Sequence, residues 1–389
     1  MKNLIKLIIG HVFLFIFKVF NIFIKFKFFH LYSTRLGHLT INFDGALLSV
    51  KDNTYIIFVL DKPVCNSYIL SFYKKQRNII FSNIFFSKIL SCIILVDPSS
   101  KLILKFNKVQ PDFTYQFKCK SKIKFPYYSK QKLIDILSKH KVKENFIGLH
   151  ARNHLYLKKN KINDPNFHGF RDFDFKDYLP TVEFLKNKYS LIKLGESYIE
   201  EDLEKLNEFF GTNIFSSIDF KFDKEIDYLI NAYSRFNVIG NSGIDGISSI
   251  LRKKIVYVNL IPFNLNRLSY CSPNSIIIPK KIFDEEKKRF LTFKENLNIN
   301  FSIHSNEDPY KKNRLKVIDN TPQEILHAVI EMEEKINEES SENKEEITDI
   351  FWRNLGEENK DKIDYLRNDL KLSISNKFLE NNFSLISDE

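Results

Sequence analysis

Apolar runs of four to eight residues recur along the chain, several of them followed by a stretch with helical periodicity. "TYIIFVLD", "RNIIFS", "CIILV", "NFIGLH", "SLIKLG", "TNIFSS", "FNVIG" and "KIVYVNL" read as strands, the last of these closing the series. "NSYILSFYKKQ", "EEDLEKLNEFF" and "IDGISSIL" read as helices, as does "DKEIDYLINAYSRF", where Ile226, Leu229, Ile230 and Tyr233 repeat on one helical face. Near the start, the strand "FHLYS" runs into the loop "TRLGH", and a helix begins near Leu39. "NFIGLH" is continuously apolar, as expected of a parallel strand covered by helices on both faces. Strand–helix alternation, made twice, predicts an α/β chain of two doubly wound units.

Local signals place some boundaries. Asp174 is a helix cap with Asp177 in the capping-box position, and Pro180 is expected to kink the helix that follows. In "TPQE", Thr321 caps, Pro322 occupies the first turn and Glu324 completes the box. The acidic stretch "MEEKINEESSENKEEITD" reads as a solvated helix end or loop, and Trp352, the only tryptophan, as a packing anchor.

The first 27 residues carry Phe, Ile and Leu studded with lysines. Their longest uncharged run, "LIIGHVFLFIF", falls short of the ~20 residues of a spanning helix. An amphipathic helix lying on an anionic membrane surface is the preferred reading; the alternatives are a helix packed on the protein's own body and a single membrane span. The expected organisation is a membrane-associating segment 1–27, an N-terminal Rossmann-like domain 28–135, a C-terminal Rossmann-like domain 136–320 and a helical, partly acidic tail 321–389.

Charge adds a partner class. With 59 Lys and Arg against 48 Asp and Glu, the net charge of +11 suits a nucleotide, an anionic lipid surface or a nucleic acid without selecting among them. The four cysteines are scattered and form no C-x-x-C pair, so neither a zinc site nor a disulfide framework is suggested, and a reducing, cytoplasmic setting fits.

Open α/β sheets bind ligands beyond the carboxyl ends of their strands, and the chemistry-bearing residues cluster there. His150, Arg152 and Asn153 follow "NFIGL", Gly195 and Glu196 follow "SLIKL", and Asn241, Ser242 and Gly243 stand between "FNVIG" and a helix. Arg152 is suited to grip a diphosphate bidentately, and the N-S-G turn to offer backbone N–H groups and a hydroxyl to a phosphate. A solvated strand end is the alternative for H-x-R taken alone. Asp172 and Asp174 have D-x-D spacing, but they sit between a loop and a helix start. Capping by Asp174 and a donor contact from Arg171 are therefore expected, and no metal.

The stretches "STRLGHLTIN", "IGLHARN", "HGFRDFDFKDYLPTVEFL", "IDYLINAYSRFNVIGNSGIDGISS" and "IVYVNLIP" resemble bacterial surface-polysaccharide glycosyltransferases that carry an H-x-R strand end. That family is similar to the two-Rossmann (GT-B) glycosyltransferases, and distantly to the H-x-R fucosyltransferases. The resemblance implies a GT-B-like fold of two Rossmann-type domains facing a cleft. It implies a metal-independent glycosyltransferase (EC 2.4) with no cofactor, its nucleotide-sugar donor held in the second domain. The acceptor would be a cell-surface polysaccharide or lipid-linked oligosaccharide, and the enzyme would lie peripherally on the inner face of the cytoplasmic membrane. His150, Arg152, Asn153, Arg171, Gly195, Asn241, Ser242 and Gly243 would bind the donor. Heptosyltransferase-like relatives carry R-x-G-D after their first strand, so His38 in "TRLGH" would be the general base, with Asp174 the next candidate; a helix cap or an acceptor contact is the alternative role of His38. Members commonly have aspartate at the place of Asn153 and serine or threonine at that of Asn241, which bears on donor identity rather than on fold.

Two other function classes are compatible with parts of this pattern. A GT-B-fold sugar-nucleotide epimerase or other transferase would use the same phosphate grip. A non-enzymatic nucleic-acid-binding protein would account for the charge, yet the basic and aromatic residues form no recognisable motif, so no nucleic-acid partner is expected.

Overall fold

The computed structural model describes residues 2–76, 78–82, 84–104, 116–123, 128–153, 168–195, 207–211, 214–216, 225–299, 308–337 and 345–386. The chain folds as two compact units, Met1–Phe125 with Asp223–Glu225, and Pro126–Phe222 with Ile226–Glu389. Both are built on parallel sheets, as the strand–helix alternation predicts.

The first unit begins with helix α1 (Lys2–Phe23), followed by β1 (Phe26–Leu31), α2 (Leu36–Leu48), β2 (Tyr55–Leu60), α3 (Ser67–Lys74), β3 (Ile79–Phe81) and α4 (Ile84–Val96). The strands pair in parallel in the order β1-β2-β3, and Ile103 bridges to Phe28 on the free side of β1. Helix α3 starts where Asn66 accepts a hydrogen bond from the Ile69 amide (2.9 Å), an N-cap that spares one orphan N–H. One expected element changes type. "CIILV" is the end of helix α4, with Ile89, Leu90 and Ile93 buried on one side and Ile94 and Leu95 exposed on the other. A short apolar run carries no period of its own, so the choice between strand and helix falls to what packs beside it.

What packs beside α4 is α1. Leu14 joins Phe26, Phe28, Val59, Ile89, Leu90, Ile93 and Leu102 in one core cluster, with Phe13 and Phe17 against it. Gly10 makes the approach possible: a Cβ there would fall on the Cys92 carbonyl oxygen and lie 2.6 Å from Val96 Cγ2. The helix is thus docked on the body of its unit along one side. Its other sides expose Leu4, Ile5, Ile8, Val12, Phe15, Phe20, Ile22 and Phe23 to solvent.

The second unit contains α5 (Tyr128–Lys139), β4 (Phe146–His150), α6 (Leu179–Leu185), β5 (Ser190–Lys193), β6 (Phe215–Ser216), α7 (Glu225–Tyr233), β7 (Asn237–Gly240), α8 (Asp245–Ile250) and β8 (Ile255–Leu260). It continues through α9 (Leu265–Leu268), β9 (Ile276–Pro279), β10 (Lys281–Asp284), β11 (Arg289–Phe290), α10 (Phe293–Leu297), α11 (Pro309–Lys312), β12 (Leu315–Ile318), α12 (Pro322–Asn337), α13 (Glu345–Asn354), α14 (Lys360–Asp364), β13 (Ser373–Ile374) and α15 (Asn376–Asn381). "KIVYVNL", expected to be the last strand, is followed by five more among the described residues. A parallel seven-stranded sheet runs β13-β9-β8-β7-β4-β5-β6, beside a small antiparallel sheet β11-β10-β12. Pro180 does not kink a helix but sits in the first turn of α6, where a missing N–H costs nothing. The Thr321–Glu324 capping box of α12 forms as expected (3.2 and 2.8 Å), and Trp352 is buried. The segment after residue 321 also supplies β13 to the sheet edge, through the register Ser373↔Ile276. Most of "EEDLEKLNEFF", parts of "TNIFSS" and the middle of the acidic stretch lie outside the described residues.

Candidate functional site

Strand order singles out one place in the seven-stranded sheet. From β4 the chain builds outward through β5 and β6, then returns to the other side of β4 with β7 and continues through β8 and β9. The order therefore reverses between β4 and β7, and beyond the carboxyl ends of two such strands the crossover helices diverge and leave a crevice. His150 ends β4, paired with Ile239, and Asn241 and Ser242 follow β7 directly. The H-x-R and N-S-G stretches are brought together there: Ser242 Oγ lies 3.4 Å from His150 Nδ1.

His150 is a neutral group in this setting. Burial, and then the charges of Lys193 and Arg152, push its pKa down to about 3, so the ring is uncharged at neutral pH. Tyr178, fully buried, donates to the His150 carbonyl (3.0 Å) and fixes the strand end. Gly195, one residue beyond Leu194 at the end of the neighbouring strand, has φ +95°, and a Cβ there would lie 3.3 and 3.4 Å from the His150 ring. A glycine is needed on both counts. Its amide donates to Asp227 Oδ1 (3.3 Å). Glu196 lies outside the described residues.

Three arginines converge on this end of the sheet, and their partners differ. Arg152 donates to the His168 carbonyl (3.1 Å) and forms an ion pair with Asp172. Asp172 is held in turn through its carbonyl by Lys280 Nζ (2.9 Å), a buried lysine that also pairs with Asp319 (2.6 Å). Arg267, on α9, pairs with Asp245 at the start of α8 and donates to Asn241 Oδ1 (3.1 Å). Burial works against the Arg267 charge, but Asp245 outweighs it and holds the pKa above the ordinary arginine value.

Arg171 differs from both. It ends a 3₁₀ turn, Gly169–Arg171, that is pinned by burial of Phe170 on one side and Phe173 on the other. Among the described residues no carboxylate lies within ion-pair distance of it, and its Nε is buried without a hydrogen-bond partner. Burial, then repulsion from Arg152 and Arg267, lowers its pKa to about 9. It remains charged at neutral pH, with Asp245 the nearby carboxylate that favours the charge.

The other expected site residues take structural positions. The Asn241 side chain is fully engaged, its amide nitrogen donating to the Ile261 carbonyl and its oxygen accepting from Arg267. Gly243 is exposed in the turn before α8, a helix of only six residues. Asn153, partly exposed, is the last described residue before position 168. Asp174 is exposed and caps the turn Phe175–Tyr178, accepting from the Lys176 amide (2.9 Å). Asp172 is thus paired to Arg152 while Asp174 caps, and no group of three potential metal ligands occurs among the described residues.

In the first unit, His38 lies in the first turn of α2, which starts at Leu36 rather than Leu39, with its ring 6.0 Å from that of Tyr32. Tyr32 in turn stands 4.9 Å from His30, whose Nε2 lies 2.8 Å from Asp61 Oδ1. Lys193, Lys280 and Arg267, which the second unit brings near the end of β4, were not legible in the sequence as candidates. Arg267 alone left a trace, an arginine shortly after the strand "KIVYVNL".

No family model matches the chain, and no curated protein does. Among solved structures it is similar to ADP-heptose lipopolysaccharide heptosyltransferase II of E. coli (11% identity over 81% of this chain and 100% of that one, TM-score 0.48). It is also similar to a glycosyl transferase family 9 protein of Veillonella parvula (12%, 66% and 86%, TM-score 0.43) and to an E. coli heptosyltransferase solved with ADP (10%, 65% and 90%, TM-score 0.39).

Proposed function

We propose that this chain is a glycosyltransferase that binds a nucleotide-sugar donor at the β4–β7 reversal of its second unit and passes the sugar to a cell-envelope polysaccharide or lipid-linked acceptor. The observation that carries this reading is Arg171, a half-buried guanidinium that forms no ion pair among the described residues, flanked by two arginines that do. A cation drawn partly out of water costs free energy unless an anion completes it. A diphosphate at the carboxyl ends of β4 and β7 supplies that anion.

In glycosyl transfer the bond between the anomeric carbon and the diphosphate oxygen breaks, the acceptor oxygen forms the new bond, and the acceptor's proton goes to a base. Negative charge grows on the leaving diphosphate. A fixed Arg171 therefore stabilises the transition state more than the ground state. Neutral His150 serves as a hydrogen-bonding wall, its Nδ1 beside the Ser242 hydroxyl. Arg152 and Arg267, each held by a carboxylate, frame the same end of the sheet. No metal or cofactor is assigned. Exposed apolar residues of α1 support a place on the inner face of the cytoplasmic membrane.

The test is a thermal-shift screen of the full chain against ADP-, GDP-, UDP-, CMP- and dTDP-sugars, because a ligand stabilises in proportion to its occupancy. One sugar nucleotide should raise the melting temperature of the native chain and leave that of Arg171→Gln unmoved. If no nucleotide shifts the native chain, or the variant responds equally, the donor site is not here.

A further inference from the structure

The turn that carries Arg171 is short and locally unfavourable. Gly169–Arg171 is a single 3₁₀ turn, and His168 before it stands at φ +61°, in the left-handed region that a residue with a side chain disfavours. Such a turn keeps one shape only where the surrounding structure holds it. Two holds come from Arg152 and Phe170. Arg152, just beyond β4, takes the His168 carbonyl (3.1 Å) and the Asp172 carboxylate. Phe170 packs with Ile261, Ile282, Leu291 and Tyr310, its ring 5.1 Å from that of Tyr310. Lys280 supplies a further hold, and it acts on the backbone.

Lys280 stands between β9 and β10, where the chain leaves the seven-stranded sheet for the small antiparallel one. Its amide donates to the Leu260 carbonyl at the end of β8 (3.1 Å). Its Nζ donates to the Asp172 carbonyl (2.9 Å) and to Asp319 Oδ1, just beyond β12 (2.6 Å). The peptide joining Asp172 to Phe173 is thereby taken at both ends, since the Phe173 amide donates to the Arg152 carbonyl (3.2 Å). Arg171 is the residue directly before it. The Lys280 side chain is 1% exposed, so its ammonium is closed to a ligand arriving from solution. Burial lowers the pKa of Lys280, with the Asp319 carboxylate opposing the shift. A buried ion pair adds little stability over an apolar pair of the same size. What this one fixes is geometry, an ammonium at the junction of two sheets holding one peptide of the turn.

We propose that Lys280 is a positioning residue of the donor site, holding the Gly169–Arg171 turn so that the Arg171 guanidinium meets the donor's diphosphate, and making no contact with the ligand itself. This rests on the assignment of Arg171 to the diphosphate and deepens it, by naming the group that sets where Arg171 stands.

The experiment is a double-mutant cycle, read by calorimetric titration of the full chain with inorganic pyrophosphate as the probe. Native protein, Lys280→Met, Arg171→Gln and the double variant are compared. Lys280→Met keeps the length of the side chain and removes its donors. It should lower pyrophosphate affinity about tenfold, the order expected when a hydrogen bond to a charged group is misdirected. Added to Arg171→Gln, it should change nothing further, because both substitutions then remove the same contact. Losses that add would mean that Lys280 acts on ligand or fold without Arg171, and would overturn the proposal. Native affinity in Lys280→Met would do the same while the donor-site reading stands. Asp319→Asn, at a partly exposed position, loosens Lys280 from outside and carries the test if Lys280→Met does not fold. Charge alone would make this variant bind an anion more tightly, so the expected loss of affinity reports position, and unchanged or tighter binding overturns the proposal. If the native chain does not bind pyrophosphate, or Arg171→Gln binds it equally well, the donor-site reading falls and the proposal with it.

Discussion

The Arg152 guanidinium is tied to the Asp172 carboxylate twenty residues along the chain, while Arg171 beside Asp172 forms no ion pair among the described residues and keeps its buried Nε without a hydrogen-bond partner. Both belong to the motif-bearing stretch that reads as a phosphate grip, yet the structure divides their work. Arg152 braces the turn 168–172 against the end of β4. Arg171 is the group that turn presents.

Arg152→Ala should therefore cost stability as well as ligand binding. It removes the hydrogen bond to the His168 carbonyl and leaves Asp172 partly buried without its ion pair, a loss of about 1–3 kcal/mol. Denaturant unfolding of the nucleotide-free protein would reveal it. An unchanged midpoint would mean that Arg152 is a ligand contact only.

Arg171→Gln should behave in the opposite way. Removing a charge that burial and two neighbouring arginines disfavour is expected to stabilise the nucleotide-free chain by about 1 kcal/mol or more, seen as a melting temperature higher by a few degrees. The same variant should lose at least tenfold in affinity for the sugar nucleotide that stabilises the native chain. A variant both less stable and equally able to bind would assign Arg171 to the fold.

His150 makes a pH prediction. Its folded pKa of about 3 lies below the ordinary histidine value of 6.5, so between those limits the unfolded chain binds more protons than the folded one. The contribution is present in full above pH 6.5 and is lost as the pH falls toward 3. Comparing native chain and His150→Gln in melts from pH 7 to pH 4, the native protein should lose more stability on acidification, by an amount on the order of a few kcal/mol. Parallel curves would mean that the ring reaches solvent and protonates in the folded state. The comparison also cancels the opposing slope of Asp177, whose pKa burial raises to about 6 in both proteins.

Gly10→Leu should separate packing from membrane contact. The added side chain meets the backbone of α4 at Cys92, so α1 must move off the first unit, and unfolding should come earlier by about 1–3 kcal/mol. Deleting the first 27 residues should do more damage, since it removes Leu14, Phe26 and the first residues of β1 from the core. A truncation that melts like the native chain would show that α1 is dispensable to the fold.

What the sequence by itself determined is everything that depends on near neighbours. Parallel strands announced themselves as continuous apolar runs, the Thr321 and Asp174 caps by residue type and spacing, and the strand-end position of His150, Arg152 and Ser242 by adjacency to "NFIGLH" and "FNVIG". What only the tertiary structure decided is what depends on distant pairing. "CIILV" became a helix because α1 offered a partner surface, with Gly10 small enough to admit it. Asn241, expected at a phosphate, turned its amide to Ile261 and Arg267, residues twenty and twenty-six positions away. Whether an arginine is a brace or a free cation is set by which carboxylate lies within 4 Å of it, and Asp172 and Asp245 reach Arg152 and Arg267 through the fold of the sheet rather than along the chain. Local sequence carries backbone preference and periodicity. Charge compensation is a property of space.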